Sequence, residues 1–122
     1  MKILVVEPMK VPYEKEIPDD LDAMQAIVGG YIEVVSRFRD AVIVCNEEGK
    51  LMGLPYNRAI FDESGLIPCD IICGTFFLAG MGEEDFISLT DDQISKYKEM
   101  YSEQMVLSVP QEKPKKQKSQ ER

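Results

Sequence analysis

Ile71-Ile72-Cys73-Gly74-Thr75-Phe76-Phe77-Leu78-Ala79 is the stretch on which the reading of this chain turns. β-Branched and aromatic side chains crowd it, and such a run predicts a buried strand at the centre of a sheet. Phe76 and Phe77 fall on opposite faces of that strand, so one is expected in the core and the other is not assigned to it. A glycine-containing polar stretch follows, and then Leu89-Thr90-Asp91-Asp92-Gln93-Ile94. Thr90 and Gln93 have the spacing of a capping box, and Leu89 and Ile94 that of a hydrophobic staple. Ile94, Tyr97, Tyr101 and Met105 recur as one stripe, opposite Asp91, Ser95, Glu99 and Ser102, so a C-terminal helix is expected.

Working back toward the start, Ile3 to Val6 is a short apolar run of the strand type, and Glu7-Pro8-Met9-Lys10 reads as a turn. Tyr13 to Ile17 alternates, and Pro12, which has no N–H to give a ladder, assigns this strand to a sheet edge. Asp19 or Asp20 caps a helix whose Leu21, Met24, Ile27 and Val28 recur at core spacing and which Gly29-Gly30 ends. Tyr31 to Ser36 and Ala41 to Cys45 are further strands. Asn46-Glu47-Glu48-Gly49-Lys50 predicts a tight turn that returns into a strand over Leu51 to Leu54, a hairpin closed by Pro55. Tyr56 to Phe61 reads as a short helix or turn, and Asp62-Glu63-Ser64-Gly65 as a polar turn. The elements together make an α+β chain, a single small domain with a mixed, mostly antiparallel sheet of about five or six strands and two helices.

A length of 122 residues and a hydrophobic share of 44% suit one folded domain with a modest core. The formal charge of -8 is unevenly spread. Lys113, Lys115, Lys116, Lys118 and Arg122 stand against Glu112 and Glu121, so the end of the chain is net +3 and residues 1–110 are net -11. Residues 1–109 are therefore expected to form an acidic domain, and 110–122 a disordered basic tail without the apolar residues that ordering requires. The plainer reading of such a tail is a solubilising end that brushes the acidic surface of its own domain; the functional alternative is a weak, salt-sensitive contact to nucleic acid.

The chain contains no histidine, the commonest general base and metal ligand. Cys45, Cys69 and Cys73 are odd in number and lack CxxC spacing, which suits neither a disulfide framework nor a zinc set. Each lies in or beside an apolar run and reads as a buried, reduced thiol, as in a cytoplasmic protein. The apolar run at the start ends at Glu7-Pro8, too soon for a secretory signal, and Ile71 to Gly82 is too short for the ~20 residues of a membrane span. Neither nucleotide-binding glycine fingerprint is present. Gly80-Met81-Gly82 runs into Glu83-Glu84-Asp85, whose carboxylates repel phosphate and do not alternate as calcium ligands do. No catalytic residue, metal ligand or cofactor is singled out.

Two groups of residues are candidates for binding. Asn57 and Arg58, in Gly53-Leu54-Pro55-Tyr56-Asn57-Arg58, can bracket a carboxylate, a phosphate or a base edge. The plainer alternative has Asn57 capping a short helix and Arg58 pairing with Asp62. Thr75 lies nearby in sequence type, in Gly74-Thr75-Phe76-Phe77, and Arg37 and Arg39 are the other body arginines, with Asp40 beside them to balance an exposed loop. Glu83, Glu84 and Asp85 with Asp91 and Asp92 form the densest acidic patch.

Val28-Gly29-Gly30-Tyr31-Ile32-Glu33-Val34-Val35, Cys45-Asn46-Glu47-Glu48-Gly49-Lys50, Gly53-Leu54-Pro55 with Asn57-Arg58, and Gly74-Thr75-Phe76-Phe77 occur in the order of a known family. The chain resembles a small domain of unknown function found in phages, conjugative elements and gut bacteria of the Firmicutes type. The resemblance spans most of residues 1–100 and implies a mobile-element setting, often near genes of antirestriction type. It carries over no activity and no catalytic residue. Two expectations follow. One is a non-enzymatic accessory protein that binds a protein partner through its acidic surface, in its sharpest form as a counter-defence mimic of DNA. The alternative is a module that sequesters a small, nucleotide-type ligand on Arg37, Arg39 and Arg58, pooled across a homo-oligomer.

Overall fold

Among the described residues three strands are apolar on both of their faces, and they can be so because each face of their sheet is covered. The computed structural model describes residues 1–62 and 64–108, with side chains described as far as Gln104. Along the chain run β1 (Lys2–Val6), β2 (Tyr13–Glu16), α1 (Leu21–Val28), β3 (Ile32–Val35), β4 (Ala41–Asn46), β5 (Tyr56–Phe61), β6 (Pro68–Cys73), β7 (Phe76–Met81), β8 (Phe86–Ile87) and α2 (Asp91–Ser108). The main sheet has the order β2-β1-β7-β4-β3, with β8 added to β7, and β5 and β6 form a second sheet of two strands. Every strand pairing among the described residues is antiparallel. The expected α+β domain with two helices is the one observed.

Ile3, Val5, Val42, Val44, Phe77 and Ala79 lie on one face of the main sheet, under Met24 and Val28 of α1. Leu4, Val6, Ala41, Ile43, Phe76 and Leu78 lie on the other, under α2 and the small sheet, which contribute Ile94, Tyr97, Tyr101, Ile60 and Ile72. Phe76 and Phe77 are therefore both core residues, one in each layer. The Phe76 ring meets Tyr101 edge-on at 5.5 Å, which seats α2 on the sheet.

Both helices begin as their sequences require. The Asp20 carboxylate accepts from the Ala23 N–H, and Gly29 ends α1 at φ 78°. Thr90 N–H donates to Gln93 Oε1 at 2.8 Å while Gln93 N–H donates to Thr90 Oγ1 at 3.1 Å, a closed capping box. Leu21, expected in the core, is 53% exposed. It opens the helix, where the stripe has not yet turned onto the sheet.

Three other expectations are corrected. The run Ile71 to Ala79 is not one strand: it is split between β6 and β7, which belong to different sheets. Gly74 makes the break, at φ 90°. Leu51 to Leu54 is not a strand returning on β4. Met52 N–H bonds back to Glu48 O and Leu54 N–H to Gly49 O, so the chain coils through consecutive turns. β4 pairs instead with β3 and β7. Tyr56 to Phe61 is neither helix nor turn but β5, paired with β6.

β2 is an edge strand, as Pro12 implied. Cys45 is buried, but Cys69 is exposed and Cys73 half-buried, so the expectation of three buried thiols holds for one. Pro68 and Cys69 sit on the exposed half of β6, which covers the core only from Ile72 onward. The expected tail, 110–122, lies outside the described residues.

Candidate functional site

Arg58 is wholly enclosed, with 0% of its surface exposed. An always-charged guanidinium in that position needs its donors filled. Its Nε donates to Tyr101 O at 3.0 Å, Nη1 to Asn57 Oδ1 at 2.7 Å and to Asn57 O at 3.3 Å, and Nη2 to Lys10 O at 2.8 Å. Burial lowers its pKa from the ordinary arginine value, and nearby tyrosines oppose that shift. Asn57 is as fully used. Its Nδ2 donates to Val6 O at 2.9 Å and to Gly74 O at 2.8 Å.

The pair therefore ties β5 to the end of β1, to the Gly74 break, to α2 and to the turn after β1. That turn carries Met9 at φ 63°, a left-handed conformation uncommon for a side chain of that size. The plainer alternative for Asn57 and Arg58 does not fit. No helix starts there for Asn57 to cap. Arg58 does not reach Asp62, whose carboxylate instead takes the Ser64 N–H and hydroxyl at 3.1 and 2.5 Å. The strand is irregular between Tyr56 and Arg58, so the two consecutive side chains of Asn57 and Arg58 are both buried, where a helix would have set Arg58 four residues from a partner on the surface. Thr75 is half-buried beside Gly74, between β6 and β7.

The body arginines do not come together. Arg37 and Arg39 are both exposed. Arg37 stands at the rim of a cleft of about 380 Å³ between α2 and β5, whose walls include Phe38, Ile60, Met100 and Tyr101. Gln104 closes one side, its Oε1 accepting from Ala59 N–H at 2.5 Å. Asp40, expected to balance the two arginines, turns toward α2. The Tyr97 hydroxyl donates to its Oδ1 at 2.5 Å, and Lys96 lies 3.5 Å from its Oδ2. The Tyr97 hydroxyl is the main cause that holds the Asp40 carboxyl below the usual range, while burial above all raises Tyr97.

Two groups of acidic residues stand out among the described residues. Glu83, Glu84 and Asp85 make the turn between β7 and β8, and Asp91 and Asp92 open α2. Lys2 bonds Asp91 at 2.9 Å and stands 3.9 Å from Glu14, so a cation interrupts that patch. The second group was not singled out by the sequence. It lines a cleft of about 430 Å³ where β3, the turn after β4, and β6 meet, with Glu33, Glu47, Glu48 and Asp70 on its walls and Lys50 as its lysine. Lys50 Nζ meets Asp70 Oδ1 at 2.6 Å, which lowers the Asp70 pKa and raises that of the lysine. Cys45 and Cys73 also line it. Burial first, and then Glu33 and Asp70, push the Cys45 thiol up to about 11, away from the reactive thiolate. Glu47 and Glu48 are neighbours in the turn after β4, and the pairing of β3 with β4 and the fold of the small sheet bring Glu33 and Asp70 to them.

Among the described residues no three acidic, cysteine or histidine side chains are placed to hold a metal ion. No described helix is long and apolar enough to cross a membrane. A family described as a domain of unknown function, DUF3846, matches residues 1–102. Neither the curated proteins nor the solved structures provide a match.

Proposed function

We propose that this chain, which belongs to the DUF3846 family, is a non-enzymatic binding module that engages a basic protein partner through its carboxylate-rich surface. The observation that carries the reading is the cleft beside β3, where Glu33, Glu47, Glu48 and Asp70 face one lysine. The polar pair most suited to gripping a ligand, Asn57 and Arg58, is consumed in holding the fold, which leaves the carboxylates as the accessible chemistry. A basic partner gains from such a surface chiefly in encounter rate and selectivity. The proposed setting is the cytoplasm of a cell hosting a mobile element, in a counter-defence role. In that role the cleft serves as a local acidic dock, a simpler requirement than the regular charge rows of a full DNA mimic, which carry one charge per ~1.7 Å.

Fluorescence anisotropy with a labelled decalysine peptide tests this. Binding at about 50 mM salt is expected to weaken at least ~10-fold by about 250 mM, since exposed charges are screened over a Debye length. Glu33→Lys with Glu48→Lys should abolish it, and Glu83→Lys with Glu84→Lys should spare most of it. Salt-independent binding, or none at low salt, removes the proposal. The second reading, a small nucleotide-type ligand, has in its favour the cleft at Arg37, whose volume lies within the usual range for ligands.

A further inference from the structure

We propose that the open edge of β3 is a docking site for an extended peptide strand with lysine or arginine at alternate positions. The inference rests on the basic-partner reading and adds the mode of contact. It begins with the ladder between β3 and β4, which pairs Glu33 with Cys45 and Val35 with Ile43. Tyr31 O accepts the Glu47 N–H at 2.9 Å and extends that ladder by one position. In an antiparallel pair only alternate residues bond to the neighbouring strand. Tyr31, Glu33 and Val35 face β4, so Ile32 and Val34 turn their N–H and C=O groups outward. β3 ends the sheet, and among the described residues no hydrogen bond reaches those outward groups.

The two edges of the sheet differ in how they are protected. β2, the opposite edge, is Tyr13-Glu14-Lys15-Glu16, charged at successive positions and preceded by Pro12. Charges and proline at an edge are devices that keep it solitary. β3 has neither a lysine nor a proline, and its register with β4 runs without a bulge. Val34 is 43% exposed, and Tyr31 just before it is 67% exposed. An unpaired edge with exposed apolar side chains is what strand addition uses: main-chain bonds supply affinity, and alternate side chains supply specificity.

The side chains around the edge select the occupant. Glu33 and Val35 share their face with Cys45 and Ile43, and both line the acidic cleft. A strand added antiparallel at about 4.8 Å from β3 places every second residue on that face. There, a lysine or arginine stands opposite Glu33 and near Glu48 and Asp70. The intervening residues, opposite Ile32 and Val34, lie on the α1 side and favour an apolar cover for Val34. A second copy of β3 brings no lysine or arginine to stand opposite Glu33. Matching Ile32 with Val34 across a two-fold axis sets Glu33 against its own counterpart, and like charges directly opposite are destabilising.

The test uses the full chain and three peptides of alternating lysine and valine. The parent is unmodified. One variant is N-methylated at the valines, whose amides face β3 when they lie opposite Ile32 and Val34. The other is N-methylated at the lysines, whose amides face away. The parent peptide is expected to bind and to shift the backbone amide resonances of residues 31–36. Methylation at the valines should weaken binding by about tenfold or more, while methylation at the lysines leaves it near the parent. Equal binding of the two methylated peptides overturns strand addition, as does a shift confined to other residues. If the parent fails while decalysine still binds, the strand mode falls and the basic-partner reading stands; if both peptides fail, both fall. Self-association that Val34→Pro abolishes overturns the choice of occupant in favour of a second copy.

Discussion

Replacing Arg58 tests whether the most distinctive polar side chain of this chain is a structural tie. Arg58→Met keeps most of the buried stem and removes the guanidinium. Asn57 Oδ1 and Lys10 O lose donors at 2.7 and 2.8 Å, and Tyr101 O loses one at 3.0 Å. Tyr101 lies within α2, and its carbonyl keeps a helical partner, so the heavier losses fall on Asn57 and Lys10. A buried acceptor left without a donor costs about 1–3 kcal/mol, and relief from desolvating a guanidinium offsets part of that. The net expectation is a loss of about 2–4 kcal/mol, a large part of the ~5–15 kcal/mol that holds a typical domain. Arg58→Ala should lose about 1–2 kcal/mol more, from the cavity that the stem leaves.

Urea denaturation followed by circular dichroism reads these losses directly, and the Tm should fall by roughly 4–8 °C for each kcal/mol. Asn57→Ala shares the Nη1 to Oδ1 bond with Arg58→Met, so the double variant should lose less than the sum of the two. A variant within about 0.5 kcal/mol of the parent, or strictly additive losses, would refute the reasoning and return Arg58 to the list of binding residues.

Tyr97→Phe removes the hydroxyl that holds the Asp40 carboxyl down. Because the folded pKa lies below the unfolded value, near ~3.9, the contribution is present above that pH and is lost as pH falls through the folded pKa. The Asp40 midpoint, followed by NMR, should therefore rise in the variant, and the stability gap between the two proteins, about 1 kcal/mol at neutral pH, should narrow below about pH 4. A gap that stays constant down to about pH 2.5 counts against this account. Gly74→Ala places a Cβ 2.7 Å from Leu54 Cδ1 on a backbone at φ 90°. It should cost more than ~1 kcal/mol by urea denaturation, and Leu54→Ala should fail to restore it, because the left-handed backbone remains. Full recovery in the double variant would show that crowding was the whole effect.

Local rules were legible wherever the partners of a residue lie within one turn of it. Asp20 and the Thr90–Gln93 box could be read because a cap is made by side chains three residues apart. The candidate sites were harder to read. Arg58 looked like a surface clamp because its acceptors, at Lys10 and Tyr101, come from distant parts of the chain. The acidic cleft was only half legible, since Glu47 and Glu48 stand together in one turn but Glu33 and Asp70 reach them only across strands. The patch that did stand out, Glu83 to Asp85 with Asp91 and Asp92, is interrupted by Lys2 from the other end of the chain.

The order of residues is enough for the α+β class, for both helices with their start signals, for the negative formal charge and for the edge position of β2. Each of these depends on composition, on a period or on near neighbours. Only the tertiary structure decided that the run through Gly74 serves two sheets, that 56–61 is a strand, and that Arg58 is interior. An apolar run reports that it will be buried, and not against what. A single glycine at a positive φ can send its two halves to different layers. The open edge of β3 belongs to the same category, because whether a strand has one neighbour or two is settled by the order of the whole sheet.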